Sequence, residues 1–349
     1  EIKIKNLMNH TSGFTTDDGN LAFTYQSKLT IQSLAQEINN QIKLNRRVGT
    51  GIEYSNLNFV VLGAIIESVS GLSYEEYVRE FIYTPLDMNN TYHSYSEAKE
   101  HGLLPSYRIV NGLILNVNVP HPNGQVSAGY QMSSTHDLTN YLLMFLNQGY
   151  FNSKSLFENN PLSTNPVETT FNPYWKEITI PVNYFGHAGS TFSATSQMTI
   201  NQNDRLGILI LTNSRDVSSR NPISASSISK GVISILNGET PFTPVKEFNW
   251  RIVVYNSLVL WIIIFDTIHS TRYLKSFRKP RKKTIILWAI LDGIFPLSFL
   301  ILIPKLNQSS WLFMLNASPE YTISIFVGCI SIILVFIIRT FFALDKRKR

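Results

Sequence analysis

Apolar residues recur at helical spacing over 29–44, 55–70, 73–83 and 134–148, which predicts amphipathic helices there. The runs at 195–201 and 205–213 alternate or are continuously apolar and predict two strands, and 223–236 returns to a helical period. Helix-rich sequence first, paired strands later and a closing helix predict an α+β domain. The loop "NGETPFTP" follows, and a linker is expected at 241–251.

Three longer apolar runs come next: "IVVYNSLVLWIIIFDTI" at 252–268, "TIILWAILDGIFPLSFLILIP" at 284–304 and "TISIFVGCISIILVFIIRTFFAL" at 322–344. The second and third reach the ~20 residues that cross a hydrocarbon core as a helix. The first is only 17 residues long, with Asn256 near one end and Asp266 near the other, so it is marginal by itself. Asp292, in mid-span, is costly in lipid; it reads equally as a functional group and as a packed or snorkelling side chain.

Charge divides the chain at the same place. From Asn249 onward there are 14 Lys/Arg against 4 Asp/Glu, so the formal +6 of the whole belongs to the tail and residues 1–248 are mildly acidic. The segment "HSTRYLKSFRKPRKK" holds seven of those basic residues and no acid, and the chain ends "DKRKR". Basic segments stay on the cytoplasmic side of a membrane. That places the 269–283 loop and the C-terminus inside and residues 1–248 outside, on a three-helix anchor over 252–344. It also removes nucleic acid as a partner, since the basic excess is a topology signal. The single cysteine, Cys329, lies in the tail, so no disulfide supports the first 248 residues. His121 and His136 have no ligand spacing with the other histidines, and no metal is expected.

Four blocks carry chemistry. They are "NHTSGF" at 9–14, "EYSNLNFVVLGAIIESVSGLSYEEYVREFIYTPLDMNNT" at 53–91, "SAGYQMSSTHDLTNYLLMFLNQG" at 127–149 and "FGHAGSTFSATSQMTINQNDRLGILILTNS" at 185–214. In this order and spacing they resemble the class C-type serine β-lactamase and penicillin-binding-protein family. The three-span tail narrows the choice: the whole arrangement resembles the membrane-tailed, FmtA-like surface proteins of staphylococci and related Gram-positive bacteria. The resemblance covers 1–236. It implies a β-lactamase/transpeptidase-like fold, an antiparallel sheet flanked by helices with a helical subdomain, occupying 1–240.

The resemblance also implies roles. Tyr54 matches the tyrosine of Y-x-N and would shuttle protons; only an electropositive site makes a phenol of pKa ~10 useful near neutral pH. Asn56 would orient the substrate amide. His187 stands where Lys stands in K-T-G versions of the motif. Gly189 would let the strand approach substrate, and the Ser190 backbone N–H would be an oxyanion donor. His10 would shape a loop beside the site. Taken singly, Tyr54 also suits an ordinary helix start, and His187 a satisfied structural histidine; the ordered blocks favour the motif.

The family's nucleophile lies in a Ser-x-x-Lys helix before the His-Thr-Ser-Gly block. Three such strings occur here, Ser96–Lys99 in an expected loop, Ser227–Lys230 on the closing helix and Ser276–Lys279 in the basic loop. None follows the family order, and all are incidental. The expectation is therefore an N-terminally incomplete domain, with an unpaired sheet edge and an exposed apolar face near 195–213. The chain is expected to be inactive by itself. It would be part of an acyl-serine hydrolase for cell-wall peptides, D-alanyl esters or β-lactams, using no cofactor. The other reading is a non-catalytic surface protein that keeps the substrate groove.

Overall fold

A computed structural model describes residues 1–22, 29–41, 44–110, 113–119, 121–156, 184–217, 224–241, 250–275, 281–306 and 311–348. Residues 242–249 of the expected linker and the Ser276–Lys279 string lie outside these. The chain divides into two compact units. One is Glu1–Val217 with Asn221–Lys246, the other Glu247–Arg349 with Ser218–Arg220.

The first unit begins with α1 (Ile4–Met8), α2 (Thr16–Ala22), α3 (Ile31–Gln41), α4 (Leu57–Ser70) and α5 (Tyr74–Val78). Helix α4 stops at Gly71, whose φ of 75° is left-handed. Ser73 then starts α5 by capping the Glu76 N–H, while the Glu76 carboxylate returns to the Ser73 N–H. A π-helical turn, Arg79–Tyr83, continues α5. Leu7, Leu34, Leu57 and Val60 close one core between α1, α3 and α4.

Next come β1 (Thr91–Tyr92), α6 (Tyr95–Glu100), β2 (Tyr107–Val110), β3 (Leu113–Asn116), β4 (Met132–Ser133), α7 (Thr135–Leu146), β5 (Tyr150–Phe151) and β6 (Lys154–Ser155). Then follow β7 (Phe185–Ser190), β8 (Thr195–Asn201), β9 (Leu206–Thr212), β10 (Ser214–Asp216) and the closing α8 (Ala225–Leu236). The main sheet has the order β7-β8-β9, all antiparallel, with His187 opposite Met198 and Gly189 opposite Ser196. A second sheet has the order β10-β2-β3, where β10 runs parallel to β2 and sets Arg215 beside Arg108.

Strand β9 is an edge of the main sheet among the described residues. An exposed apolar face was expected there; Ile208 is buried and the remaining residues of the strand are half-buried. Ile208 packs with Ile233 of α8, and Leu209 packs into a second core with Leu142 and Phe145 of α7. Successive strand residues point to opposite faces, so the two helices pack on opposite sides. The Ser96–Lys99 string also differs from expectation: it lies on α6, capped by Ser94.

Among its described residues the second unit has three helices long and apolar enough to cross a membrane, Val253–Tyr273, Lys283–Pro304 and Pro319–Leu344. The marginal first run sits inside a 26-residue helix, Trp250–Lys275. Its two polar interruptions are both bonded to the third helix: Asn256 accepts from the Ser324 hydroxyl, and Asp266 pairs with Arg339 at 3.1 Å. Asp292 also has a partner that the sequence could not show, the same Arg339. The second span passes through a π-helical turn at Ala289–Ile294. Between the second and third spans lies a short helix, Trp311–Ala317, whose Trp311 indole donates to the Leu300 carbonyl at 3.0 Å.

Candidate active site

The His-Thr-Ser-Gly turn and the Tyr-Ser-Asn segment are tied together through Asn58. Its amide nitrogen donates to His10 Nδ1 at 3.0 Å and to the Ser55 carbonyl at 3.1 Å, and its oxygen accepts from the Ser12 hydroxyl. His10 Nδ1 also accepts from the Ser55 N–H at 3.1 Å, so this nitrogen carries no proton. Asn58, Ser12 and Ser55 are fully buried and His10 is 2% exposed. His10 takes a left-handed φ of 52°, strain held by this network. Burial, with the nearby charge of His187 as a smaller cause, lowers its pKa to about 4. It is a neutral support.

On that support lies Tyr54, its ring centroid 4.6 Å from that of His10. Tyr54 is in the loop before α4, 38% exposed, and its carbonyl accepts from the Thr16 hydroxyl at 2.6 Å. Asn56 follows in the turn that opens α4, half-buried. His187 is half-buried on β7 and faces His10 closely enough for their charges to interact. Two motif blocks more than a hundred residues apart are therefore electrostatic neighbours at one imidazole.

Gly189 and Ser190 end the same strand, Ser190 being exposed. A Cβ at Gly189 would run into the Ser196 hydroxyl across the sheet. The glycine therefore has a packing reason of its own, beside the approach of a substrate. In α4, Gly63 has a similar one: a Cβ there would strike Ser127, the first residue of the Ser-Ala-Gly block.

The structure adds residues that the sequence reading passed over. Tyr130, in that Ser-Ala-Gly block, stands where the family pattern repeats glycine and keeps a left-handed φ of 64°. Its phenol is buried, which pushes its pKa up to about 12, with Tyr54 adding to the rise and Arg215 opposing it. Tyr54, Tyr130 and Arg215 are thus electrostatic neighbours. Arg215 Nη1 donates to the Thr191 carbonyl at 2.7 Å, just beyond Ser190. Arg108, 7% exposed, donates from Nε to the Phe192 carbonyl at 2.8 Å. Both arginines brace the turn after Ser190, and burial followed by their mutual repulsion lowers the Arg108 pKa. The clue in the sequence was a tyrosine in place of a glycine and an arginine directly after Leu-Thr-Asn-Ser.

Behind the site, Asp137 is fully buried and joins two further blocks. It accepts from the Asn90 N–H at 2.7 Å, the Thr91 hydroxyl at 2.8 Å and the Ser134 hydroxyl at 2.9 Å. Among the described residues no group of three or more His, Cys, Asp or Glu could hold a metal ion.

The sequence model of the Beta-lactamase family matches residues 1–225. Protein flp of Staphylococcus aureus strain MW2 is 24% identical over 337 residues, which cover 91% of this chain and 66% of that protein. A putative D-alanyl-D-alanine carboxypeptidase of Salmonella typhi is 26% identical over 254 residues, covering 61% of this chain and 57% of that one. The structure of the octameric penicillin-binding protein homologue from Pyrococcus abyssi superposes with a TM-score of 0.52 at 22% identity, over 69% of this chain and 56% of that chain, a likeness of fold. This chain spans just under two thirds of the length of the curated relatives it matches.

Proposed function

Because the chain belongs to the β-lactamase family, we propose that its first unit is the rim and oxyanion side of an acyl-serine site whose Ser-x-x-Lys pair lies outside Glu1–Arg349. In the whole protein the serine hydroxyl attacks the carbonyl of a D-amino-acid amide or ester of the cell envelope, or of a β-lactam. Tyr54 takes and returns the proton, Asn56 holds the substrate amide, and the Ser190 N–H steadies the oxyanion. His187 supplies positive potential where other members carry lysine, and Arg215, beside Tyr130, adds a fixed charge. His10, its Nδ1 occupied by two donors, positions Tyr54 without exchanging protons. The three apolar helices anchor the chain in the cell membrane, with residues 1–248 outside and the basic segments inside.

The observation that carries this reading is the packing of Tyr54 on His10, with His187 close enough to act on His10 electrostatically. Incubating purified Glu1–Arg349 with a fluorescent penicillin or a fluorophosphonate is expected to give no covalent labelling. Labelling at any serine of this chain overturns the assignment of the nucleophile to residues outside it. Labelling of a longer reading frame that includes an upstream Ser-x-x-Lys, lost on Tyr54→Phe, is the positive expectation.

A further inference from the structure

The three apolar helices enclose a charge cluster that the acyl-transfer chemistry does not use. Arg339, on the third helix, is 1% exposed. Its Nη1 donates to Asp266 Oδ1 at 3.1 Å and to the Ser270 hydroxyl at 3.2 Å, both on the first helix. Its Nη2 pairs with Asp292 on the second. The guanidinium lies 4.3 Å from the Trp288 ring, which Tyr273 meets edge-on at 4.7 Å. Asp292 sits in the π-helical turn, the kind of local widening that re-aims a side chain. Beside it Gly293 approaches Phe336 of the third helix so closely that a Cβ would lie 3.1 Å from that ring.

Two carboxylates thus face one guanidinium, a net charge of one negative if both ionise. In hydrocarbon an uncompensated charge is expensive, and two carboxylates sharing a site do not readily ionise together. Two buried atoms of the cluster also lack hydrogen-bond partners, Asp266 Oδ2 and Arg339 Nε. We propose that the cluster is an intramembrane proton-binding site, in which the two carboxylates on Arg339, Asp266 and Asp292, together carry one proton. The loaded site is neutral: one guanidinium, one carboxylate and one carboxylic acid. Other titratable groups at the cluster are His269, close enough to act electrostatically on Asp266, and Tyr273. The second helix adds Trp288, which does not titrate.

Asp266 lies seven residues before Tyr273, Asp292 nine after Lys283 and Arg339 five before Leu344, the ends of the three candidate spans. At 1.5 Å per residue the site is roughly 8 to 14 Å from the end that carries the basic segments. The proton exchanges with that side, and its loss leaves a bare charge where all three helices meet. The packing of the tail is therefore sensitive to pH there, whether or not the acyl site is active.

Infrared spectroscopy of the full chain in lipid nanodiscs, with ¹³C-labelled aspartate, tests this. At neutral pH the carbonyl band of a neutral carboxyl group is expected, disappearing as the pH is raised. Asp266→Asn and Asp292→Asn each leave one carboxylate for one guanidinium and are expected to abolish the band; Asp292→Glu keeps it. A wild-type chain without the band at neutral pH, or a band that survives either asparagine substitution, overturns the proposal. Should a variant lose its helical circular dichroism, the titration of the wild-type band decides alone.

Discussion

Asn58 serves three partners with one amide, and each of them is buried with it. Asn58→Ala takes the acceptor from the Ser12 O–H and a donor from His10, so a loss of about 2–4 kcal/mol is expected in chemical denaturation of the detergent-solubilised chain. In the sequence Asn58 is an inconspicuous residue of an apolar helix, whereas Tyr54 and Asn56 stand out as motif positions. Motif reading finds groups that face a substrate; it misses groups that face other side chains, because only the fold brings those together. The two buried histidines add a dependence on pH. Burial first holds both His10 and His93 to about 4, with His187 acting on the former and His121, then Arg79, on the latter. Unfolded, each returns to an ordinary 6.5. Their folded pKa values are depressed, so the unfolded chain binds more protons between these limits. The stabilisation is complete above 6.5 and falls as the pH drops toward 4, by about 2–3 kcal/mol per histidine. Denaturation midpoints should fall from pH 7 to pH 5, and His93→Gln should flatten that slope.

At the level of elements, the paired strands at 195–201 and 205–213 and the helices around them were legible because their periodicity is long and regular. The β2–β3 hairpin was not, although Asn111-Gly112 between two apolar runs is a strong hairpin signal. Strand β10 is three residues long and has no periodicity to read; it exists through its partner β2. The close passage of β7 against β8 can be tested. Gly189→Ala should destabilise the domain by about 1–3 kcal/mol through overpacking against Ser196, and adding Ser196→Gly should restore most of the loss. Restoration shows that the cost lies between the strands. If the double variant remains as unstable as Gly189→Ala alone, the cause lies elsewhere.

For the whole molecule, hydropathy marked three apolar runs, and among the described residues three helices long and apolar enough to cross a membrane follow the residues that match the β-lactamase family. The bonds between those helices were hidden, since residues 73 positions apart, such as Asp266 and Arg339, show no spacing rule. Sidedness is open to experiment. With Cys329 replaced by serine, Glu239→Cys should react with an impermeant maleimide on intact cells, and Lys275→Cys only after permeabilisation. Reaction at 275 on intact cells reverses the orientation.

The Asp137 carboxylate has a consequence for how such a chain diversifies. Together with the β1–β4 pairing it fastens Thr91 to Ser133 and so closes a ring of chain. Everything between, including α6, the β2–β3 hairpin and Tyr130, departs from and returns to the same fixed knot. Its exposed tip can be exchanged without shifting the frame that holds Tyr54 and His187, whereas Arg108 braces the turn after Ser190 and Ser127 lies against Gly63 from within the same excursion. The exposed Leu113, Ile114 and Leu115 lie on it, and so does the tyrosine that replaces a glycine. A lineage can therefore retune what approaches the site by editing the exposed tip of that excursion, while its bonded residues keep the register of the scaffold.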